Sequence, residues 1–121
     1  MPHVVLIGDV DIQEVFQSLQ SLTLRNHQTL IRTNKKYLAS DKTTMIIESL
    51  AGMPTKLQHF LTLLNSRKDG LVIRIHPYSH VEKTPQVKQL IAELAKQLIQ
   101  SFPHLSLGKT NLQEFFTNLS T

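Results

Sequence analysis

One segment near the C-terminal end constrains the fold more than any other, because its apolar residues repeat with the period of an α-helix. These residues are Val87, Leu90, Ile91, Leu94, Ala95, Leu98, Ile99 and Phe102. Spacings of three and one place them on a single helical face. Thr84 is a suitable N-cap, Pro85 suits the first position, and Pro103 ends the segment. The pattern predicts a helix between Thr84 and Pro103 with one buried face.

Several other segments have the composition of β-strands. Residues 71–75 are rich in β-branched side chains, and residues 3–7 are apolar on both faces, which is typical of a central strand. Residues 28–39 and 43–50 are separated by the turn-forming residues 40–42 and together predict a hairpin. Strands beside a long amphipathic helix predict an α+β fold with helices packed on one face of a sheet.

Between the first strand and this hairpin, the sequence predicts a short helix. Asp11 with Glu14 three residues later resembles a capping box, and Ile12, Val15, Phe16 and Leu19 share one face. Residues 18–26 are polar and predict a connection. In the next strand, alternation predicts that Thr29, Ile31, Thr33 and Tyr37 point to the same side.

Residues 57–64 fit two patterns. Leu57, Phe60, Leu61 and Leu64 match a helical stripe. The same run also matches a strand, with one face formed by Leu57, His59, Leu61 and Leu63 and the other by Gln58, Phe60, Thr62 and Leu64. We favour the strand because the run is short and Phe60 and Thr62 suit a sheet. The predicted order is then βα, a four-stranded meander and two helices. The alternative with a helix is the ferredoxin-like order βαββαβ followed by a C-terminal helix.

The C-terminal part continues with two shorter elements. Residues 105–107 predict an extended run or short strand. Asn111 is a candidate N-cap for a last helix that carries Leu112, Phe115, Phe116 and Leu119, whose aromatic rings close the core or cover a neighbouring subunit. The whole chain, residues 1–121, is predicted to form one domain.

Composition excludes several kinds of chemistry. The chain of 121 residues contains no Cys, so disulfides, thiolate metal sites and Cys nucleophiles are excluded. No apolar run approaches the ~18 residues of a membrane span, and the N-terminus lacks the pattern of a signal peptide. We therefore expect a soluble, cytoplasmic protein. No cofactor and no metal site is predicted.

The net charge of +4 raises the question of nucleic-acid binding. Along the sequence, however, the basic residues are scattered, and phosphate binding needs several cations on one surface. From the sequence we expect ordinary solvated charges rather than a nucleic-acid site.

The candidate ligand site lies in the loop before the long helix. His76, His80 and Glu82 offer two imidazoles and a carboxylate, while Lys83 and the amide groups behind Thr84 offer an anion site at the helix N-terminus. The spacing of the histidines does not predict a metal site, because residues 76–80 do not form a helix. Separately, Glu48 and Arg74 on different strands are predicted to form a cross-strand pair or to line a cleft.

The N-terminus carries one family resemblance. Met1-Pro2-His3 followed by an apolar strand resembles the start of the tautomerase superfamily, in particular 5-carboxymethyl-2-hydroxymuconate isomerase-like proteins. The resemblance implies that Met1 is removed and that the nitrogen of Pro2 acts as the catalytic base. A secondary amine in an apolar pocket has a lowered pKa, as this role requires. Arg32 or Arg74 would then bind a substrate carboxylate.

Three functional hypotheses follow. The first is a small non-catalytic binding or structural domain that forms homo-oligomers, favoured by an apolar terminal helix and open strand edges. The second is a proline-dependent isomerase. The third is a module that binds nucleic acid or an acidic partner.

Overall fold

The computed structural model describes residues 1–119, with the side chains of residues 1–116. In chain order the elements are β1 (His3–Ile7), α1 (Ile12–Ser18), β2 (Thr23–Arg25), β3 (Leu30–Leu38), β4 (Thr44–Met53), β5 (Lys56–Arg67), β6 (Gly70–Ile75), α2 (Pro85–Ser101), β7 (Ser106–Thr110) and a 3-10 helix (Gln113–Leu119). The seven strands form one sheet in the order β2-β3-β4-β5-β6-β1-β7, and each neighbouring pair is antiparallel.

The α+β class and the antiparallel sheet predicted from the sequence are confirmed. Residues 57–64 lie within β5, so the strand interpretation of this segment is correct and the ferredoxin-like alternative is wrong. The structure contains β2 in addition to the predicted strands, and the short strand or extended run predicted at residues 105–107 overlaps β7. Within residues 18–26, which were expected to be only a connection, β2 pairs with β3, and β7 pairs with β1 on the opposite side of the sheet.

The apolar stripe of α2 is buried against the sheet, as its periodicity predicted. Leu90, Leu94 and Leu98 are fully buried. Thr84 caps the helix by accepting a hydrogen bond at its Oγ1 from the backbone N–H of Val87 at 3.3 Å. The shorter α1 packs into the same core through Ile12 and Val15. Both helices therefore cover one face of the sheet, and burial of their apolar side chains is the main stabilising contribution of this layer.

The face of the sheet opposite α1 and α2 carries no helix, and we call it the helix-free face. Its members follow from strand register, because successive side chains alternate between the two faces. Val4 pairs with Ile73 on the helix-covered face, so their sequence neighbours Val5 and Arg74 belong to the helix-free face. Val5, Leu50 and Leu63 are buried there although they lie outside the helix-packed core.

Three hydroxyl side chains are buried on the helix-covered face. Ser49 Oγ and Thr62 Oγ1 are 2.7 Å apart, and Thr33 Oγ1 accepts a hydrogen bond from the N–H of Leu22 at 2.7 Å. These bonds satisfy groups whose burial without a partner would be costly. The first bond joins β4 to β5, and the second joins β3 to the segment that precedes β2.

A β-bulge in β3 changes which face its second half presents. Thr33 pairs with Ser49 and Lys36 with Ile47, so Asn34 and Lys35 together oppose one residue of β4. The extra residue reverses the alternation, and Tyr37 lies on the helix-free face with 47% of its surface exposed. The prediction that Tyr37 shares a face with Ile31 and Thr33 is therefore wrong.

The same bulge directs Lys36 toward the end of α1. Its ammonium group donates hydrogen bonds to the backbone carbonyls of Phe16 and Leu19, the latter at 2.9 Å, and lies 5.0 Å from the centre of the Phe16 ring. Carbonyls in the last turn of a helix lack intrahelical partners and carry partial negative charge. Lys36 thus satisfies the end of α1 from a neighbouring strand.

The C-terminal segment differs from the predicted α-helix. Asn111 does not act as its N-cap. Instead its side chain accepts from the N–H of His3 at 3.0 Å and donates to the carbonyl of Met1 at 2.8 Å. The following helix is of the 3-10 type, and Phe116 is buried in the chain's own core. Of the two alternatives for the aromatic rings, Phe116 closes the core.

Candidate functional site

The helix-free face gathers basic side chains that are far apart in the sequence. All four arginines of the chain lie on it, at Arg25, Arg32, Arg67 and Arg74. Arg32 and Arg74 each follow a residue that points into the helix-packed core, Ile31 and Ile73, and the strand register places Arg25 and Arg67 on the same face as these two. The antiparallel register therefore assembles one basic surface from four separate strands.

Charge is distributed unevenly between the strands and the rest of the chain. Within the described residues, the strands contain one acidic residue, Glu48. They contain eight basic residues: Arg25, Arg32, Lys35, Lys36, Lys56, Arg67, Arg74 and Lys109. The remaining acidic residues lie in helices, turns and loops, so the sheet is the basic part of the molecule.

The arginines differ in how much of their charge is available. Arg67 forms an ion pair with Asp69, with Nε 3.0 Å from Oδ1, in the turn between β5 and β6. Among the described side chains, Arg25, Arg32 and Arg74 form no ion pair. Arg25 and Arg32 are exposed, so their guanidinium groups are available to a partner.

Arg74 lies near the middle of the helix-free face, between Leu63 of β5 and His3 of β1. Its Nε is buried and has no hydrogen-bond partner among the described residues, and the same holds for Oδ1 of nearby Asn65. Arg74 is paired in register with the buried Leu63, and long basic side chains can cover apolar surface while keeping their charge near water.

Two open cavities meet on the β3–β5 part of this face. One, of about 370 Å³, is lined by Asn34, Glu48, Ser49, His59, Phe60, Leu61 and Ser79. The other, of about 700 Å³, is lined by Ser21, Thr23, Arg32, Thr33, Asn34, Lys35 and Glu48. Because Asn34 and Glu48 belong to both, the cavities adjoin at these residues, and we call the two together the groove, with a basic end and a more apolar end.

Glu48 is held at the junction of this groove by Tyr37. The phenol of Tyr37 donates a hydrogen bond of 2.7 Å to Oε2 of Glu48. This bond, together with partial desolvation and the negative charge of Glu48, raises the pKa of Tyr37. Glu48 does not form the predicted cross-strand pair with Arg74, because β5 lies between the strand of Glu48 (β4) and the strand of Arg74 (β6). Its partner in register is Leu61 of β5. The alternative prediction, that Glu48 lines a cleft, agrees with its position in the groove.

The loop before α2, residues 76–84, is fixed by hydrogen bonds to β5. The backbone N–H of His76 donates to the carbonyl of Leu61, and Oγ of Ser79 accepts from the N–H of Leu61. The side-chain amide of Gln58 bonds both the N–H and the carbonyl of Glu82, at 2.8 and 3.2 Å. This loop is therefore bound to β5 near its beginning and near its end.

The predicted ligand residues of this loop divide between two places. His80, Glu82 and Lys83 line a separate cavity of about 570 Å³ together with Met1. His76 instead continues β6 beside Arg74, and its Nδ1 accepts a hydrogen bond from the N–H of Tyr78. Thr84 acts as the N-cap of α2, so the predicted set does not form one site.

Pro2, the residue to which the family resemblance assigns catalysis, is buried between Met1 and β1. The carbonyl of Met1 lies 3.0 Å from Nδ1 of His3 and also accepts the hydrogen bond from Asn111. Met1 lines the cavity that contains His80 and Glu82. Pro2 is therefore flanked in the sequence by Met1, which lines this cavity, and by His3.

In the described part of the chain, no group of three His, Asp or Glu side chains is arranged to hold a metal ion. No helix within residues 1–119 combines the length and the apolar character that a membrane span requires. No protein family, curated protein or solved structure matches this chain.

Sequence reasoning missed Arg25, Tyr37 and Lys35 as members of a surface. One signal was available for Arg32 and Arg74, since each follows a β-branched core residue and must point to the opposite face. For Tyr37 the sequence offers no such signal, because the bulge reverses its side.

Proposed function

We propose that this protein is a non-catalytic binding module that holds single-stranded nucleic acid on the helix-free face of its sheet. The observation that carries the proposal is the placement of all four arginines on this face. Within the described part of the chain, Glu48 is the one acidic residue in the strands. Linear spacing in the sequence does not predict this surface, because it does not show which strands become neighbours.

A phosphate backbone is the partner that suits this charge pattern. Polyanions bind where several cations lie on one surface and release the counterions condensed on the phosphates. The chain has a sequence pI of about 9.6, and its arginines share one face, which together form the electrostatic pattern of a nucleic-acid-binding domain. Arginine also binds phosphate through two parallel hydrogen bonds, which lysine does not.

The shape of the face favours single strands over duplexes. The central five strands span roughly 24 Å at about 4.8 Å per strand, which is wider than the ~12 Å major groove of B-DNA. The face also presents rings and apolar surface beside its cations, with Tyr37 47% exposed and Leu61 36% exposed. Unpaired bases stack on such side chains, and duplex bases do not expose their faces.

The homo-oligomer expected from the sequence is kept as a second candidate function, supported by a different surface. β7 is an edge strand, and Leu107 on it is 37% exposed. An open edge with apolar side chains pairs readily with a second copy. Face-to-face association through the helix-free face is disfavoured, because it would oppose two basic surfaces.

Fluorescence anisotropy with labelled oligonucleotides tests the first candidate. Mixed-sequence RNA and DNA of about twelve nucleotides, the matching duplexes, and poly-glutamate as an acidic-protein competitor distinguish the partner classes. The test variant is Arg25→Gln/Arg32→Gln. The matched control is Lys88→Gln/Lys96→Gln, which removes the same charge from α2 on the other side of the sheet.

We expect the arginine variant to bind single strands about 25-fold more weakly at 0.1 M salt, since each lost contact costs about fivefold. The lysine control should bind like the unmodified protein. Equal losses for both variants, or no binding of any single strand, would reject the proposal. Displacement by poly-glutamate with no preference for oligonucleotides would assign the face to an acidic protein instead.

A further inference from the structure

We infer that the cavity at Glu48 is a base-reading pocket that selects guanine in single-stranded nucleic acid. This inference rests on the proposed function, and it goes further by assigning a sequence preference to one side chain. A carboxylate is otherwise unfavourable on a surface that binds phosphates, because it repels them. Its presence at the centre of the groove, as the only acid on the described strands, requires a different role.

One oxygen of the Glu48 carboxylate is engaged by Tyr37, and the other is available to accept hydrogen bonds from a ligand. Its Oε2 accepts the hydrogen bond from Tyr37, which fixes the side chain, and its Oε1 accepts none from any described residue. Glu48 is half-buried, so part of its hydration is already lost before a ligand binds. A hydrogen bond from a matching donor to such a fixed, partly desolvated acceptor contributes more binding free energy than one to a fully solvated acceptor.

Guanine is the base whose edge best matches a carboxylate. Its N1–H and N2–H groups are adjacent donors, whereas cytosine and adenine each offer one amino group beside an acceptor nitrogen. In uracil the single N3–H lies between two carbonyl oxygens, which a carboxylate repels. A bidentate contact from two donors to one carboxylate is both stronger and more selective than a single bond.

The surrounding cavity supplies the remaining features of a base pocket. Its volume of about 370 Å³ falls in the range of small-ligand sites. Leu61 presents an apolar surface for the face of the base, and it is 36% exposed. Asn34 and His59 line the same cavity and carry N–H groups that can donate to O6 of guanine. The adjoining cavity with Arg32 and Lys35 lies where the neighbouring phosphates would follow.

The experiment compares heptamers that differ at one position. The probes are fluorescein-labelled uridine heptamers with a central guanosine, inosine, adenosine or uridine, measured by anisotropy with the full-length protein. Inosine keeps N1–H and O6 but lacks the 2-amino group, so it isolates one donor. The variants are Glu48→Gln and, as a matched control, Glu14→Gln on α1, which is exposed and outside the helix-free face.

The unmodified protein and Glu14→Gln should bind the guanosine heptamer about 5- to 150-fold more tightly than the uridine heptamer, with inosine between them. Glu48→Gln should lose this preference and bind the uridine heptamer more tightly, because a repulsive charge is gone. Binding of all four heptamers with equal affinity would overturn the inference and leave the proposed function standing. Binding of none of them by any variant would instead count against the proposed function. A guanosine preference that survives in Glu48→Gln would assign the reading of the base to another residue.

Discussion

The salt dependence of binding is the most direct quantitative prediction of the charge pattern. Four basic residues lie on the helix-free face or in the bulge of β3 and form no ion pair among the described residues. They are Arg25, Arg32, Lys35 and Arg74. Each cation that neutralises a phosphate of a single strand contributes about 0.7 to the slope of log affinity against log salt. Four such contacts predict a slope of about −2.8.

The predicted slope corresponds to a loss of affinity of about 50-fold between roughly 50 mM and 200 mM salt. Removing one contact with Arg32→Gln should change the slope to about −2.1 and reduce that loss to about 20-fold. Arg67→Gln should change the slope much less, because Arg67 already pairs with Asp69 at 3.0 Å. The two variants remove the same charge from the same face, so their difference isolates the effect of the ion pair.

The assay is anisotropy of a labelled single strand over a series of salt concentrations at fixed pH. A slope shallower than about −1 for the unmodified protein would mean that at most one phosphate is neutralised, and it would refute the assembled basic surface. The same conclusion would follow if Arg32→Gln and Arg67→Gln changed the slope equally. Circular dichroism of each variant shows whether its fold is retained.

Three further predictions concern other parts of the structure. In a Tyr78→Phe background Tyr37 is the only tyrosine, and Glu48→Gln should lower its raised pKa in an absorbance titration of the phenolate; no change would contradict the bond between them. Because that pKa is raised, the stability from this bond is present at neutral pH and is lost as pH rises through the titration. Leu94→Ala, at a fully buried position of α2, should lower the free energy of unfolding by about 2–5 kcal/mol in urea titrations, and a loss below about 1 kcal/mol would mean a poorly packed core. The proline-base hypothesis requires a free N-terminal Pro2, so an intact mass that still includes the initiator methionine would reject it.

The parts of the fold that the sequence predicts well are those with a strong local pattern. The stripe of α2 needs no knowledge of its neighbours, because eight apolar residues with helical spacing can be buried in only one way. The β5 segment was assigned correctly from Phe60 and Thr62, whose side chains suit a sheet. The three-residue β2 carries no pattern of its own, and only its pairing with β3 makes it a strand.

The candidate site was less predictable because it depends on register rather than on local spacing. Arg32 and Arg74 are 42 positions apart in the numbering, and only the order β3-β4-β5-β6 shows that they share a surface. The hydrogen bond between Tyr37 and Glu48 depends on the extra residue of the bulge at Asn34–Lys35. The amino-acid composition of this segment does not predict a bulge. The loop before α2 attracted attention because of its histidines, but its residues divide between a cavity, a strand end and a helix cap.

Most acidic residues lie outside the sheet, and this charge distribution affects how the protein associates with a charged partner. Asp9, Asp11 and Glu14 lie in or just before α1, which packs on the side of the sheet opposite the arginines. These carboxylates are separated by the sheet from the four arginines, so the arginine charge is concentrated on the helix-free face. In the field of a polyanion such a molecule rotates before contact, which raises the association rate at low ionic strength and fades as salt is added. The same charges that hold a bound strand thus also orient the protein as it approaches.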